Sequence, residues 1–281
     1  MLPHNAIRLL VLALLLFPVL MYQLLKSWTS LYPYFIWWIS YILTVINYTL
    51  CLNTNPGFIN NPSSLSSNPS PFTKDFHESN YCRFCDADKP KRAHHCKRCK
   101  TCIERMDHHC TWIDGCVGYH NQGHFVRLLM AGSILCLYSL GLLVVYLYYA
   151  ITQSNGQNTE NDFPIFIWGL LFIVLIPVTS IVVFLTKNQL FLMIRNSTTI
   201  ENLEQLEDQE MGLDVSNPYD IGWLGNTKQI LGDIIFLWWL PQPMPDLGSM
   251  KYRKLSVDHS SEGGTPYSAT TFVSHEPPHD L

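Results

Sequence analysis

The stretch CRFCDADKPKRAHHCKRCKTCIERMDHHCTWIDGC, Cys82 to Cys116, decides how the rest of the chain is read. It holds seven of the nine cysteines and conceals a repeat. Cys82, Cys85, His95 and Cys102 recur 14 residues later as Cys96, Cys99, His109 and Cys116. Each set has the form C-x2-C-x9-H-x6-C, three thiolates and one imidazole, which is the closed tetrahedral donor set of structural zinc. The spacing therefore predicts two interleaved zinc sites. Sequence neighbours such as His95 and Cys96 tend to point apart, so they are expected to serve different ions.

One cysteine of the stretch is surplus. A third copy of the repeat would start at Cys110, but Ile113 stands where its second thiol falls. Cys110 is thus left without a metal and lies beside Asp107 and His108 in the tetrad Asp107-His108-His109-Cys110. A thiol becomes a nucleophile when a base or cation lowers its pKa from about 8.5, and the base itself needs a third group to orient it. Asp-His-x-Cys offers all three. The bland alternative is that Cys110 replaces Cys116 as the last ligand of the second zinc, which the 14-residue repeat disfavours. His94, one repeat before His108, reads as a residue that packs or hydrogen-bonds locally, with support of the Cys110 site as the alternative.

Outward from this stretch the chain is apolar. Its 281 residues are 48 % hydrophobic, gathered into four runs: Leu9 to Leu25, Leu31 to Leu52, Phe125 to Ile151 and Phe163 to Thr186. Each is long enough to cross about 30 Å of hydrocarbon as helix. Arg127 near the start of the third run is expected to snorkel to the interface. Arg8 precedes the first run as in a signal peptide, but no small-x-small cleavage site follows Leu25 and a second run begins six residues on, so it reads as a retained anchor.

Two independent considerations place the cysteine-rich loop in the cytosol. Zinc-binding thiols must stay reduced. The segment from Asn53 to Gly123 carries Lys74, Arg83, Lys89, Lys91, Arg92, Lys97, Arg98, Lys100 and Arg105, whereas Thr152 to Asp162 carries no basic residue. With four spans both termini are then cytosolic. The net charge of −4 gives no reason to expect nucleic acid.

The chain divides accordingly into 1–52 (helices 1 and 2), 53–80 (linker), 81–123 (cysteine-rich zinc domain), 124–190 (helices 3 and 4), 191–240 (a cytosolic segment) and 241–281 (a disordered tail). Asn55-Pro56-Gly57 is a turn signal and Asn60 to Pro71 a Ser/Pro/Asn-rich linker. The cluster Asn196 to Glu201 resembles a helix cap with Thr199 or Ser197 as acceptor. Glu201 to Glu210 reads as a solvated helix face. Ile234 to Leu240 is too short to span and reads as interfacial or packed, and Lys251 to Leu281 as a disordered tail.

Four spans with Asp107-His108-His109-Cys110 in a cysteine-rich loop resemble the DHHC protein S-acyltransferases, or palmitoyltransferases, over roughly Ile7 to Leu240. Thr198-Thr199-Ile200-Glu201 matches that family's TTxE motif, Asn217 to Asn226 its C-terminal motif, and Asn55-Pro56-Gly57 its DPG motif with Asn for Asp. The resemblance implies an α-helical polytopic membrane enzyme with the zinc domain between helices 2 and 3. It makes Cys110 the acylated nucleophile, His108 its base, Asp107 the orienting group and His109 a zinc ligand. Thr199 would steady Asp107, and Asn226 would brace the C-terminal segment against the catalytic loop. Lys89, Arg92 and Trp112 would contact the acyl-CoA. The implied donor is palmitoyl-CoA, and the implied partners are the bilayer and proteins with membrane-proximal cysteines, on an endomembrane such as Golgi or ER. Cys110-Thr111-Trp112 departs from the usual Cys-Pro-Trp, and Asp114 stands where Asn is common.

Two other classes account for less. A membrane-anchored zinc module that only binds proteins explains the eight ligands but not Cys110 beside Asp107 and His108. A transporter with a zinc-bound loop lacks ionisable residues to line a pathway.

Overall fold

The computed structural model describes residues 34–59, 81–153, 162–213 and 216–242. The run Leu9–Leu25, the linker from Asn60 to Pro71 and the tail from Lys251 lie outside them, so the expected first span does too. Among the described residues three helices are long and apolar enough to cross a membrane: α1 (Tyr34–Asn53), α2 (Gln122–Gln153) and α3 (Asp162–Ile194). At 1.5 Å per residue the 20 residues of α1 cover about 30 Å. Its polar side chains do not break the apolar run, because they fold back on the helix itself. Ser40, Thr44, Asn47 and Thr49 each donate to the carbonyl four residues earlier, at 2.7–2.8 Å.

The three helices are joined by apolar contact and a few polar pairs. Tyr34, Leu143 and Leu175 form one buried cluster toward one end of the bundle. Trp37 Nε1 donates to Ser139 Oγ at 3.0 Å between α1 and α2. Ser133 and Thr186 hydroxyls meet at 2.6 Å, and Thr186 also donates to the Leu129 carbonyl at 3.0 Å, tying α2 to α3. Small hydroxyl residues at such contacts let helices approach closely while satisfying their own polar groups in lipid.

Between α1 and α2 lie three antiparallel hairpins: β1 (Tyr81–Cys82) with β2 (Ala87–Asp88), β3 (His94–Cys96) with β4 (Thr101–Ile103), and β5 (His108–Cys110) with β6 (Gly115–Val117). They are one module copied at 14-residue intervals. Cys82 pairs with Ala87, Cys96 with Thr101 and Cys110 with Gly115; His95 pairs with Cys102 and His109 with Cys116. The hairpin turns repeat as well, since Asp86, Lys100 and Asp114 all take left-handed φ values, 53°, 55° and 49°.

The module is fastened to α1 by the turn after it. Asn55 Oδ1 accepts from the amides of Gly57 and Phe58, both at 2.9 Å, and Gly57 O accepts from Glu104 N. Gly57 has φ +109°, and a Cβ on Gly118 would fall 2.5 Å from Pro56 O, so glycine is required at both. At the other end Asn121 bridges Gly118 N and Cys116 O at 2.9 Å and starts α2 directly from β6.

After α3 the chain turns at Asn196 (φ 52°) into α4 (Thr199–Glu210). Its cap is Thr198, not Thr199 or Ser197: the Thr198 hydroxyl accepts from Glu201 N and the Glu201 carboxylate from Thr198 N, a complete capping box. A turn at Asn217–Asp220 leads to α5 (Trp223–Leu231) and a 3-10 turn, Ile235–Leu237. Arg127 does not snorkel. It is buried, with Nε donating to Trp238 O at 2.9 Å and a terminal nitrogen to Leu231 O at 2.6 Å. Leu231 O at the end of α5 and Trp238 O after the 3-10 turn come within reach of α2 and are free to accept, as helix-terminal carbonyls are.

Candidate active site

The structure gathers two four-residue donor groups, Cys82, Cys85, His95 and Cys102, and Cys96, Cys99, His109 and Cys116. Cys116, not Cys110, belongs to the second. Each imidazole turns Nδ1 to its thiols: His95 at 3.5, 3.3 and 3.9 Å from Cys82, Cys85 and Cys102, and His109 at 3.5, 3.4 and 3.6 Å from Cys96, Cys99 and Cys116. A tetrahedron with zinc–sulfur bonds of about 2.3 Å has edges of about 3.8 Å. Donor separations and ligand chemistry therefore fit Zn²⁺ at both sites. Zinc there would supply structural cross-links between hairpins.

Cys110 ends β5 outside both groups. It is buried in an apolar cluster with Cys51 of α1, Ile113 and Val117 of its own hairpin, and Phe125 and Leu129 of α2. Its neighbour two residues back, His108, points the same way from the same strand. His108 Nδ1 meets Asp107 Oδ2 at 2.6 Å, and the ring packs edge-on to Phe125 with centroids 5.3 Å apart. Cys110 lies near enough to His108 to favour its charged form.

Asp107 is fully buried and its carboxylate is surrounded by donors. Oδ2 accepts from His108, from Gln189 Nε2 at 2.9 Å and from Thr199 Oγ1 at 3.0 Å; Oδ1 accepts from Thr199 N at 2.7 Å. Thr199 opens α4, so the carboxylate also sits at the positive end of that helix. Burial works to raise the Asp107 pKa, but the His108 contact and these hydrogen bonds hold it below the usual carboxylate range. Burial likewise opposes charge on His108, yet its contacts with Asp107 and Cys110 push it up to about 9. An imidazole oriented in this way by a buried carboxylate is placed to exchange a proton with its neighbour.

Gln189 is the functional residue missed in the sequence. It lies in α3 just past the apolar run and is buried, with Oε1 left without a partner. The available signal was a polar side chain closing an apolar span ten residues before Thr199.

The residues expected to meet acyl-CoA are not brought together as a set. Arg92 is buried: Nε and one terminal nitrogen grip the two Glu201 oxygens at 2.5 and 2.7 Å, that same terminal nitrogen also reaches Asn196 O and the other Asn196 Oδ1, and the guanidinium lies 4.1 Å over the Tyr219 ring. Its charge is paired within the fold. Lys89 is half-buried near His94 and Glu204. Trp112 is half exposed, and its carbonyl accepts from Tyr48 OH of α1 at 3.2 Å.

Asn226 ties the C-terminal segment to the end of α3. It donates to Ile194 O at 2.6 Å and Asp220 Oδ1 at 2.7 Å and accepts from Ile221 N, so it closes the end of α3 and its own turn. Asn196 joins the zinc domain to the C-terminal segment alongside the Arg92 and Thr199 contacts. Its Oδ1 accepts from Arg92 and Arg105, and its Nδ2 donates to Tyr219 O and Gln229 Oε1. Two departures from the resembled pattern are accommodated. Asn55 offers the same acceptor oxygen to two amides that Asp would, and Asp114 sits in a left-handed turn that Asn and Asp both tolerate. Nothing in the structure explains Thr111.

A family model described as DHHC palmitoyltransferase matches residues 75–206. The chain is 31 % identical over 232 residues to "Probable protein S-acyltransferase 16" of Arabidopsis thaliana, covering 79 % of this chain and 80 % of that one. It is 30 % identical over 181 residues to palmitoyltransferase PFA3 of Yarrowia lipolytica and 31 % over 172 residues to palmitoyltransferase ZDHHC20 of Mus musculus. Each of these matches covers 57 % of this chain and 45 % of the relative. The chain thus spans slightly under half the length of several curated relatives it matches.

Proposed function

The chain belongs to the DHHC palmitoyltransferase family, and on that premise we propose that it is a protein S-acyltransferase, moving a long-chain acyl group from acyl-CoA through a Cys110 thioester to cysteines of membrane-associated proteins. The observation that carries this reading is a thiol outside both metal-ligand groups, joined through His108 to a buried, four-fold hydrogen-bonded Asp107.

With Nδ1 committed to Asp107, His108 takes the Cys110 proton on Nε2. The thiolate attacks the thioester carbonyl of the acyl-CoA, the tetrahedral adduct collapses, and CoA leaves as a thiolate that recovers the proton from His108. In the second half a substrate cysteine gives its proton to His108 and attacks the acyl-Cys110 carbonyl, and the Cys110 sulfur departs as the protonated thiol. Asp107 keeps the ring in one tautomer and orientation through both halves. Burying about fourteen methylenes of a palmitoyl chain at roughly 0.8 kcal/mol each gives about 11 kcal/mol of gross affinity before ordering costs. Apolar neighbours such as Phe125 and Leu129 lead from Cys110 toward the helices.

The proposal includes four spans, with Leu9–Leu25 as the first, and the division into linker, zinc domain, C-terminal motif segment and tail given above. The zinc domain and both termini face the cytosol, supported by the thiol-rich metal sites and the basic loop. An endomembrane, Golgi or ER, is the compartment the family resemblance carries.

The test is acylation of purified protein with a clickable palmitoyl-CoA analogue, wild type against Cys110→Ser, at measured zinc content. Hydroxylamine-sensitive label on wild type, absent from the variant with zinc retained, is the expected result. Label persisting in the variant, or lost together with half of the zinc, would overturn it.

A further inference from the structure

The segment from Asp233 to Leu240 has no part in the chemistry above and carries the most exposed large apolar side chain among the described residues. Phe236 is 93 % exposed, and Ile234, Ile235, Leu237, Trp239 and Leu240 are also exposed. An apolar run this bare on a water-facing surface is unfavourable and marks a contact with something apolar.

Its anchorage says what that is. Arg127, six residues into α2, holds the segment from both sides through Leu231 O and Trp238 O. Trp238 closes it further by donating from Nε1 to Gly232 O at 2.9 Å, and packs on the cluster of Val126, Met193, Ile230 and Leu231. Val126 and Arg127 lie inside the candidate span Gln122–Val145, and Met193 inside Gly169–Ile194. The segment is therefore fixed level with residues of two membrane helices. Position and composition both match the interfacial zone of a bilayer.

We infer that Ile234–Leu240 is a lipid-inserted wedge, a contact with the leaflet on the zinc-domain side additional to the spanning helices. Phe125, which packs on His108, and Val126, which packs on the wedge's base, are consecutive in α2. The wedge thus sets how deep the thiol of Cys110 lies beneath the headgroups.

The test uses the full chain in phosphatidylcholine nanodiscs with a photo-crosslinking benzoylphenylalanine at position 236. Position 184, an exposed site mid-way along α3, is the lipid-facing reference, and position 207, exposed on α4, the aqueous one. Mass spectrometry should find lipid adducts at 236 at about the yield seen at 184 and at least about tenfold above 207. A yield at 236 no higher than at 207 would overturn the inference. So would adducts carried by a peptide, whether from residues 1–33 of the same chain or from a second copy.

Discussion

Thr199 grips Asp107 twice: its amide donates to Oδ1 at 2.7 Å and its hydroxyl to Oδ2 at 3.0 Å. Only the second bond depends on the side chain. Thr199→Ala should therefore lower acyl transfer by about ten- to a hundredfold, the cost of one hydrogen bond to a charged group. Zinc content should not change, and the α4 cap survives because Thr198 supplies it. Thr199→Ser should restore most of the rate in a palmitoyl-transfer assay.

Gln189 makes a prediction with opposite signs for activity and stability. Gln189→Leu removes a donor from Asp107 Oδ2 and also the buried Oε1 that has no partner. Turnover should fall by about tenfold, while the thermal midpoint holds or rises. Gln189→Glu sets a second carboxylate against Asp107 and should be the slower enzyme of the two.

Arg92 separates a structural cation from a phosphate contact. Arg92→Lys keeps the charge but loses the planar fork on Glu201. The expected result is a thermal midpoint lowered by several degrees with an unchanged KM for palmitoyl-CoA. Arg92→Ala strands Glu201 and should cost about 3–5 kcal/mol, as when one partner of a buried pair is removed.

His108 predicts an alkaline loss of stability. Its folded pKa, near 9, lies above the unfolded value of about 6.5. The stabilisation is therefore complete below about pH 6.5 and is lost as pH rises through about 9. Thermal midpoints measured between pH 6.5 and 9.5 should decline in wild type more than in His108→Gln. Parallel declines in the two proteins would contradict the assignment.

The two metal groups and the spare thiol were legible in the sequence because ligand spacing repeats along the chain, and the hairpins keep that period in space. Three of the four runs appear as long helices for the same reason: length and apolarity are local properties. Residues whose roles depend on distant partners were not legible. Gln189 and Asp107 are 82 positions apart, and Arg92 and Glu201 109. Arg127 looked like an interface cation because its acceptors, Leu231 O and Trp238 O, are main-chain atoms that no residue type announces. The cap reads as Thr199 or Ser197, one position to either side of the true cap Thr198, since three adjacent hydroxyl residues offer the same chemistry.

The three 14-residue hairpins share one cysteine position. In the third, Cys110 occupies the place held by Cys82 and Cys96 in the metal-ligand groups, and the turn still folds left-handed at Asp114. The Cys110 sulfur thus keeps the first ligand place of the repeat while Ile113, Gly123 and Met130 stand where its three partners would fall. A single substitution, Ile113→Cys, should supply the first of them. The new C-x2-C pair would capture Cys110 as a metal chelate or disulfide, and acylation should return when a chelator and reductant are supplied. The apolar side chain at 113 thus leaves Cys110 without a thiol at the C-x2-C distance that Cys82 and Cys96 both have.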